Sequence, residues 1–391
     1  MKVRLWNRLY DISDFAHPGG GVIRTHAWCD ETQIDATNAF VALHARSKRA
    51  FHVLKTLPSY PLEVQRNMVE KDFEKMNIQI TQAGFYKPSY NHVCYRVLSN
   101  AFMWLSGGIL LRNGLFITSV LIFSISYMQC GWIQHECGHK SFTGHSTIDR
   151  LLQIVYLDIF MGGNHHFWND QHFSHHANTH NFKLDKDLKT HPLVAFDKSL
   201  FKTKSHTIFT RYQHLLYWCV INPLVWFTWS FLSYPLFAYN KGHLAQYITT
   251  KLLSFLIYIG FFRWCNFSTA ASLCMFHLVS MIGTGLLLST FTISHTPTDA
   301  YESNCGWVIP AASHTINVHN HWLTNWWMGY LNFQIEHHLF PTMPQFRQST
   351  VGDEYIKPFF KKHDLKYIDK SFYEANHDVY MNLKKVAEFA N

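Results

Sequence analysis

The chain has 391 residues, 48% of them apolar, with a formal net charge of +8 and 27 histidines. That length allows more than one domain and a core large enough to dispense with staples. The positive charge is spread through polar stretches rather than gathered in one basic block, which argues against a nucleic-acid partner. The 8 cysteines include no CxxC pair, which argues against a disulfide framework and for small apolar side chains in a reducing compartment.

The chain opens Met1-Lys2-Val3-Arg4 and runs straight into a polar, strand-like stretch without a basic-then-apolar leader, so membrane entry falls to internal segments. Residues 10–20 read Tyr-Asp-Ile-Ser-Asp-Phe-Ala-His-Pro-Gly-Gly, followed by Asp35-Ala36-Thr37-Asn38-Ala39-Phe40 and then His44. Alone, His-Pro-Gly-Gly is a tight turn. The whole set resembles cytochrome b5, and the resemblance implies that His17 and His44 are the axial ligands of a haem b. Two imidazoles on one iron fill both axial positions, which suits reversible one-electron transfer and excludes oxygen. The spacing between the two histidines is a few residues longer than that family usually has, placing an insertion around Trp28 to Gln33, and the usual leading segment does not precede the strand. Residues 58–92, with Pro58, Pro61 and Pro88 around a charged helical stretch from Leu62 to Asn77, read as a linker holding this unit on the cytosolic face.

Apolar stretches follow at 97–111, 115–134, 214–238, 248–262 and 268–293. The first two are separated only by Arg112-Asn113-Gly114, a tight turn between antiparallel spans, although the first is shorter than the roughly 20 residues usually needed. Pro223 and Pro235 make 214–238 an interfacial or re-entrant segment. The pair 248–262 and 268–293 then crosses twice and returns the chain to its starting side. Lys and Arg concentrate in residues 1–96, 135–213 and beyond 295, which makes that side cytosolic.

Beside these spans lie three histidine clusters: His135-Glu-Cys-Gly-His139, His172-Phe-Ser-His175-His176 and Gln334-Ile-Glu-His337-His338. Residues three or four apart share a helix face, so each cluster can aim its imidazoles at one point. Imidazole-rich sets suit zinc, copper, iron or nickel, and residue type alone does not choose among them. Seven histidines exceed the four ligands of one tetrahedral zinc and point to two metals. An electron carrier in the same chain favours iron, since zinc has no use for electrons.

The b5-like start, the HxxxH, HxxHH and QxxHH boxes, and the run Leu331-Asn-Phe-Gln-Ile-Glu-His-His-Leu-Phe-Pro-Thr-Met-Pro344 together resemble the membrane front-end fatty acyl desaturases over most of the chain. The resemblance implies a mainly α fold: a small α+β haem unit at 1–57, a linker at 58–92, a multi-pass membrane domain with a cytosolic histidine-box cap at 93–354, and a cytosolic helical tail at 355–391. It implies two non-haem irons on His135, His139, His172, His175, His176, His337 and His338, with His295 in the place of a further family histidine. Gln334 stands where other membrane desaturases have histidine. No catalytic side chain beyond the metal ligands is implied. O2 is the implied co-substrate, with electrons from NADH-cytochrome b5 reductase passing through the fused haem. The implied substrate is a fatty acyl chain carried by coenzyme A or lipid, and the implied setting the endoplasmic reticulum bilayer. The implied reaction is insertion of a cis double bond on the carboxyl side of an existing one, of delta-5 or delta-6 type. A sphingolipid long-chain-base desaturase or an acyl hydroxylase on the same scaffold is the nearest rival. A membrane-anchored b5 carrier needs no boxes, and a metal transporter would place ionisable residues inside its spans rather than at their ends.

Glu136, Asp170 and Glu336 are candidate acceptors for an imidazole N–H, Asp185 and Asp187 read as an ordinary loop, and His180 is the foremost further ligand candidate. Positioning one methylene among many requires a bent apolar tunnel, for which Trp132, Trp322, Trp326, Trp327, Phe333 and Phe340 are the candidate lining.

Overall fold

A computed structural model of the chain describes residues 1–31, 33–202, 204–295, 298, 300 and 306–389. At the N-terminus, β1 (Lys2–Leu5) pairs antiparallel with β2 (Arg8–Asp11). Between β2 and the next strand come a 3-10 stretch, Gly20–His26, and two helices, α1 (Thr37–His44) and α2 (Lys48–Leu54). β3 (Ser59–Pro61) then pairs with β2, so residues expected in the linker form the third strand. Val3, Leu5, Ile12, Ala36 and Leu54 make a small core under this sheet. The Asp-Ala-Thr block enters α1 through a side-chain turn: Asp35 Oδ1 accepts the Thr37 backbone N–H at 3.0 Å and the Thr37 hydroxyl at 2.5 Å.

The expected linker is not a free tether. Helix α3 (Met68–Gln82) begins at Asn67, whose side chain accepts Val69 N–H at 2.8 Å. Its residues Phe73, Met76 and Ile80 lie one face apart and are buried against Phe340, Met343, Phe359 and Phe360. Arg66 ties it back to the first unit with ion pairs of 2.5 Å to both Asp35 and Glu74.

α4 (Tyr90–Arg112) and α5 (Phe116–Gly138) form an antiparallel hairpin, and helices Leu244–Trp264 and Thr269–Phe291 form a second that packs on α5. Among the described residues, four helical runs are long and apolar enough to cross a membrane: Phe116–Gly138, Gln213–Asn240, Leu244–Trp264 and Thr269–Ser294. The second of these contains π-helical turns at Tyr217–Ile221 and Trp229–Ser233. Pro223 and Pro235 stand at the start of the α-helical turns that follow, where a missing N–H costs least. Near one end of the run, Tyr217 Oη donates to Thr292 Oγ1 at 2.8 Å; near the other, Tyr234 packs against Tyr247 with ring centres 6.5 Å apart. Thr292 and Tyr247 both lie at the open end of the second hairpin, so the segment leaves and rejoins the same end, as a re-entrant segment would.

The remaining elements cap that end. They include α6 (Ser146–Gln153), α7 (His165–Ala177), and the chain from 306 onward. The C-terminal stretch, expected as a tail, is part of the core: helix Phe372–Glu388 buries Ala375, Val379 and Leu383 against Ile293, Ile316 and Met328, and Asn317–Val318 pairs in parallel with Asp369–Lys370.

Candidate metal centre

α5 brings His135 to its last turn and ends at His139; α7 presents His172, His175 and His176; the short helix Gln334–Leu339 carries His337 and His338; His295 follows the turn Thr292–Ser294. Packing these ends together yields two buried groups. His135, His139, His172, His176 and His337 form one, and His175, His295 and His338 the other; within each group the available ring nitrogens lie within 4.8 Å of one another. The Nε2–Nε2 separations are 2.8 Å for His139 and His172, 3.1 Å for His172 and His176, and 3.3 Å for His295 and His338. Two nitrogens each about 2.1 Å from one metal and at right angles stand about 3 Å apart. Nε2 of His135, Nε2 of His175 and both ring nitrogens of His337 are buried without hydrogen-bond partners, a state that folded proteins rarely tolerate unless something else binds there. The donor set fits a non-haem di-iron centre, and every histidine of the three boxes, together with His295, falls in one of the two groups, whereas Gln334 belongs to neither.

Four imidazoles are held by their other nitrogen, which leaves Nε2 for the metal. Asp185 Oδ2 accepts from His175 Nδ1 at 2.8 Å, Thr179 Oγ1 meets His338 Nδ1 at 2.9 Å, and the His314 carbonyl accepts from His295 Nδ1 at 3.3 Å. The Gln345 amide lies 2.9 Å from His135 Nδ1, and with its oxygen turned to the ring it accepts that N–H.

Burial, followed by the charge of neighbouring imidazoles, holds His172, His176, His337, His338 and His295 well below the usual histidine range, and burial with Lys140 brings His139 down to about 3. They are neutral at pH 7, the ligating form. His175 differs: burial pulls it down, but the charges of Asp185 and Asp187 outweigh that and raise it to about 9.

The expected carboxylate acceptors are corrected by the structure. Glu136 accepts Gln345 N–H at 3.0 Å, Glu336 is bonded by Asn317 and Tyr367, and Asp170 pairs with Lys186 at the surface; none holds a ligand ring. Asp185, read as a loop residue, is the one that does. His180 belongs to neither metal group; its backbone N–H donates to Asp185 at 2.8 Å and its ring meets Thr298. Gln334 shares a helix face with His337 and His338, and its Oε1 is buried without a partner. Thr179, three residues after His176, carried a helical-spacing signal; Gln345 carried none.

An apolar cavity of about 430 Å³ opens from these groups, lined by His135, His172, His175 and His295 at one end and by Trp132, Trp226, Leu287 and Phe291 beyond. Of the six aromatics expected to line a tunnel only Trp132 does so. Trp322 and Trp326 line a separate cavity, and Phe340 sits in the core under α3. Gly131 packs directly against Leu287 in the cavity wall, and a Cβ there would stand 2.7 Å from Leu287 Cδ1.

At the N-terminal unit, Gly20 takes φ +71° in the turn after Pro18. The His17 and His44 rings face each other with centres 6.0 Å apart and planes at 77°. His44 Nδ1 donates to Phe40 O at 3.0 Å, and Gly19 N–H donates to His17 Nδ1 at 3.2 Å. This unit sits on the metal-bearing cap. Gly20–His26 packs against α7, Arg46 Nε donates to Thr342 O at 2.9 Å, and Thr342 Oγ1 donates to Ala42 O at 3.1 Å.

The sequence matches the family described as Fatty acid desaturase over residues 113–371. It is 32% identical to an acyl-lipid (8-3)-desaturase of Rebecca salina, over 97% of this chain and 90% of that protein. A second acyl-lipid (8-3)-desaturase, from Thraustochytrium sp, is 31% identical over 97% of this chain and 90% of its own. Fatty acid desaturase 3 of Homo sapiens is 30% identical over 97% and 88%. Because the family match runs through every histidine of both metal groups and these relatives align almost end to end, the chain belongs to the membrane fatty acid desaturases, oxidoreductases that desaturate acyl chains.

Proposed function

We propose that the protein is a front-end desaturase that inserts a cis double bond on the carboxyl side of an existing one in a polyunsaturated acyl chain, drawing electrons from NADH-cytochrome b5 reductase through a haem b on His17 and His44. The observation that carries this reading is the apolar cavity ending on two groups of buried imidazoles. Bound iron supplies the O2-derived oxidant that an unactivated methylene requires. The chain's own residues do the rest. Asp185, Thr179, Gln345 and the His314 carbonyl orient the ligand rings. Trp132, Leu287 and Phe291 line the approach and exclude water. A methylene has no polar handle, so depth in this cavity decides which carbon meets the metals. The names of the (8-3) relatives support an acyl chain held in a lipid as the substrate.

The haem assignment rests on geometry at His17 and His44. Two imidazoles on opposite faces of one iron, each nitrogen about 2 Å away, have ring centres about 6 Å apart, and these stand at 6.0 Å. Ligation through Nε2 puts the proton on Nδ1, so His17 must exchange its bond from Gly19 N–H for an acceptor when the haem binds. Chain order, with the haem unit packed on α7, supports direct delivery to the cap. The endoplasmic reticulum bilayer, with cap and haem unit cytosolic, is the proposed setting.

Expression in a eukaryotic host lacking polyunsaturated lipids, fed C18 and C20 polyunsaturated acids, tests the reading, with new double bonds located by mass spectrometry. A product unsaturated on the carboxyl side supports it and gives the position. Altered sphingoid bases with unchanged fatty acids would replace it by a long-chain-base desaturase. His337→Ala should abolish product while the haem spectrum persists, and His17→Ala should remove the spectrum; an active His337→Ala protein would sink the di-iron reading.

A further inference from the structure

Beside α4 and the loop that carries Trp322 and Trp326 lies a second, open cavity of about 590 Å³, lined by Tyr95, Arg96, Trp322, Trp326 and Tyr330 among others. Arg96 is 3% exposed. Its Nη1 is buried without a hydrogen-bond partner, and its Nη2 reaches Gln129 Oε1 at 3.4 Å. The Glu136 carboxylate attracts it, but a guanidinium removed from water without a full set of acceptors remains costly, and the cost falls when an anion meets the unpartnered edge. Arg presents that edge as a planar fork matched to phosphate oxygens.

Position identifies the source of the anion. Arg96 lies in the second turn of α4, opposite Gln129 of α5, six residues or about 9 Å before His135 along that helix. Trp322 and Tyr95, 73% and 50% exposed, form the rim, the residue types that collect at the headgroup level of a bilayer. Below the rim, Tyr95, Leu98, Phe102, Leu105 and Ile109 are all exposed and lie on one face of α4. That stripe runs about 21 Å, longer than one leaflet of a hydrocarbon core about 30 Å thick. The cavity therefore opens onto the surface that faces acyl chains.

We propose that this cavity is a phospholipid site, with the lipid phosphate meeting the unpartnered Nη1 edge of Arg96 after a small shift of the side chain into the cavity, and an acyl chain along the Tyr95–Ile109 stripe. Its occupancy bears on the reaction. Gln129 Nε2 donates to Trp326 O at 3.0 Å, and Trp132 Nε1, from the wall of the acyl cavity, donates to Trp327 O at 2.8 Å. A phosphate that fixes Arg96 and Gln129 thereby fixes the loop against which Trp132 is set. The lipid here is distinct from any substrate lipid at the metal end.

The test is native mass spectrometry of the full chain, purified in detergent and stripped of lipid, titrated with phosphatidylglycerol, with diacylglycerol of the same chains, and with inorganic phosphate. One phosphatidylglycerol should be retained per chain in preference to diacylglycerol, and inorganic phosphate at equal concentration should not displace it. Arg96→Gln should weaken retention at least about tenfold, the loss of a charge-assisted bond to phosphate. Equal retention of diacylglycerol, displacement by inorganic phosphate, or unchanged retention in an iron-replete Arg96→Gln protein would overturn the proposal. Should Arg96→Gln fail to fold, Trp322→Ala on the exposed rim decides: weaker retention supports the site, and wild-type retention overturns it.

Discussion

Replacing Asp185 by Asn should empty one metal position and spare the other. Asp185 Oδ2 accepts His175 Nδ1–H and His180 N–H, both at 2.8 Å, and its Oδ1 accepts Asp187 N–H at 2.9 Å. An amide cannot serve all three. With its oxygen toward His175 its NH2 confronts the Asp187 N–H; reversed, the NH2 faces His175 Nδ1 and drives the ring proton to Nε2, the atom the metal needs. Loss of a bond between a ligand and its outer partner costs about 10- to 100-fold in metal affinity, and about 1.4 to 2.7 kcal/mol in free energy, in line with a buried charge-assisted hydrogen bond. His175 belongs to the group of three and not to the group of five, so the loss should fall on one iron. Anaerobic iron titration followed by elemental analysis measures it. Asp185→Asn should carry about one non-haem iron per chain, after subtraction of haem iron, at a free-iron level where the parent carries two, with the haem spectrum unchanged as the folding control. Asp187 Oδ2 stands 3.6 Å from His175 Nδ1, beyond hydrogen-bonding distance, so Asp187→Asn should bind iron within about twofold of the parent. Two irons at parental affinity in Asp185→Asn, or an equal loss in Asp187→Asn, would refute the argument that this one bond positions His175.

Three further outcomes follow from the same geometry. Gly131→Ala places a Cβ 2.7 Å from Leu287 Cδ1, pushing Leu287 into the cavity at a cost of about 1 to 3 kcal/mol; turnover should fall more for C20 than for C18 chains, and an unchanged product ratio would refute that path for the acyl chain. Arg46→Ala removes the bond to Thr342 O and that to Tyr86 O while leaving the tether, so stopped-flow reoxidation of reduced haem should slow several-fold with spectrum and iron content intact; an unchanged rate would mean the contact does not position the haem unit. His26 has a buried Nε2 without a partner, and burial lowers it to about 4. The unfolded chain, titrating near 6.5, binds a proton there that the folded chain does not, so the N-terminal unit should lose at most about 3 kcal/mol as pH falls from 6.5 to 4 and nothing from this group above 6.5; melting of the Soret band in His26→Gln should lack that slope.

The histidines of the two groups were legible because each set is local. Residues four apart on α5 and three or four apart on α7 and Gln334–Leu339 share a face whatever the rest of the chain does, and only the meeting of the three faces needed the fold. The same rule explains why the neighbouring carboxylates are not the ring acceptors. Glu136 follows His135 by one residue and Glu336 precedes His337 by one, so each is turned about 100° from the ligand beside it; Asp170, two before His172, is turned about 200°. The partners that do the holding come from elsewhere: Asp185 from the loop after α7, Thr179 across to His338, and Gln345 across to His135, 210 residues away. No periodic pattern carries such pairs.

Element roles divide on the same line. Phe73, Met76 and Ile80 on α3, and Ala375, Val379 and Leu383 near the C-terminus, are amphipathic stripes, and a stripe demands a partner surface. Charge and proline content around them describe only the other face, which is why a tether and a tail were the natural expectations and cap elements are what the fold contains. The acyl cavity is the extreme case. Its wall takes scattered residues from α5, from Gln213–Asn240, from Thr269–Phe291 and from the loop around 185–196, so proximity to a box in sequence says little about lining it. Trp322 and Trp326 lie within a dozen residues of Gln334 and still face a different cavity, because the loop carrying them meets Gln129 and Trp132 through its backbone carbonyls while Trp322 and Trp326 line the space beside Tyr95 and Arg96. Regiochemistry depends on that wall, and Gly131→Ala probes it where α5 packs against Leu287 of the helix Thr269–Phe291.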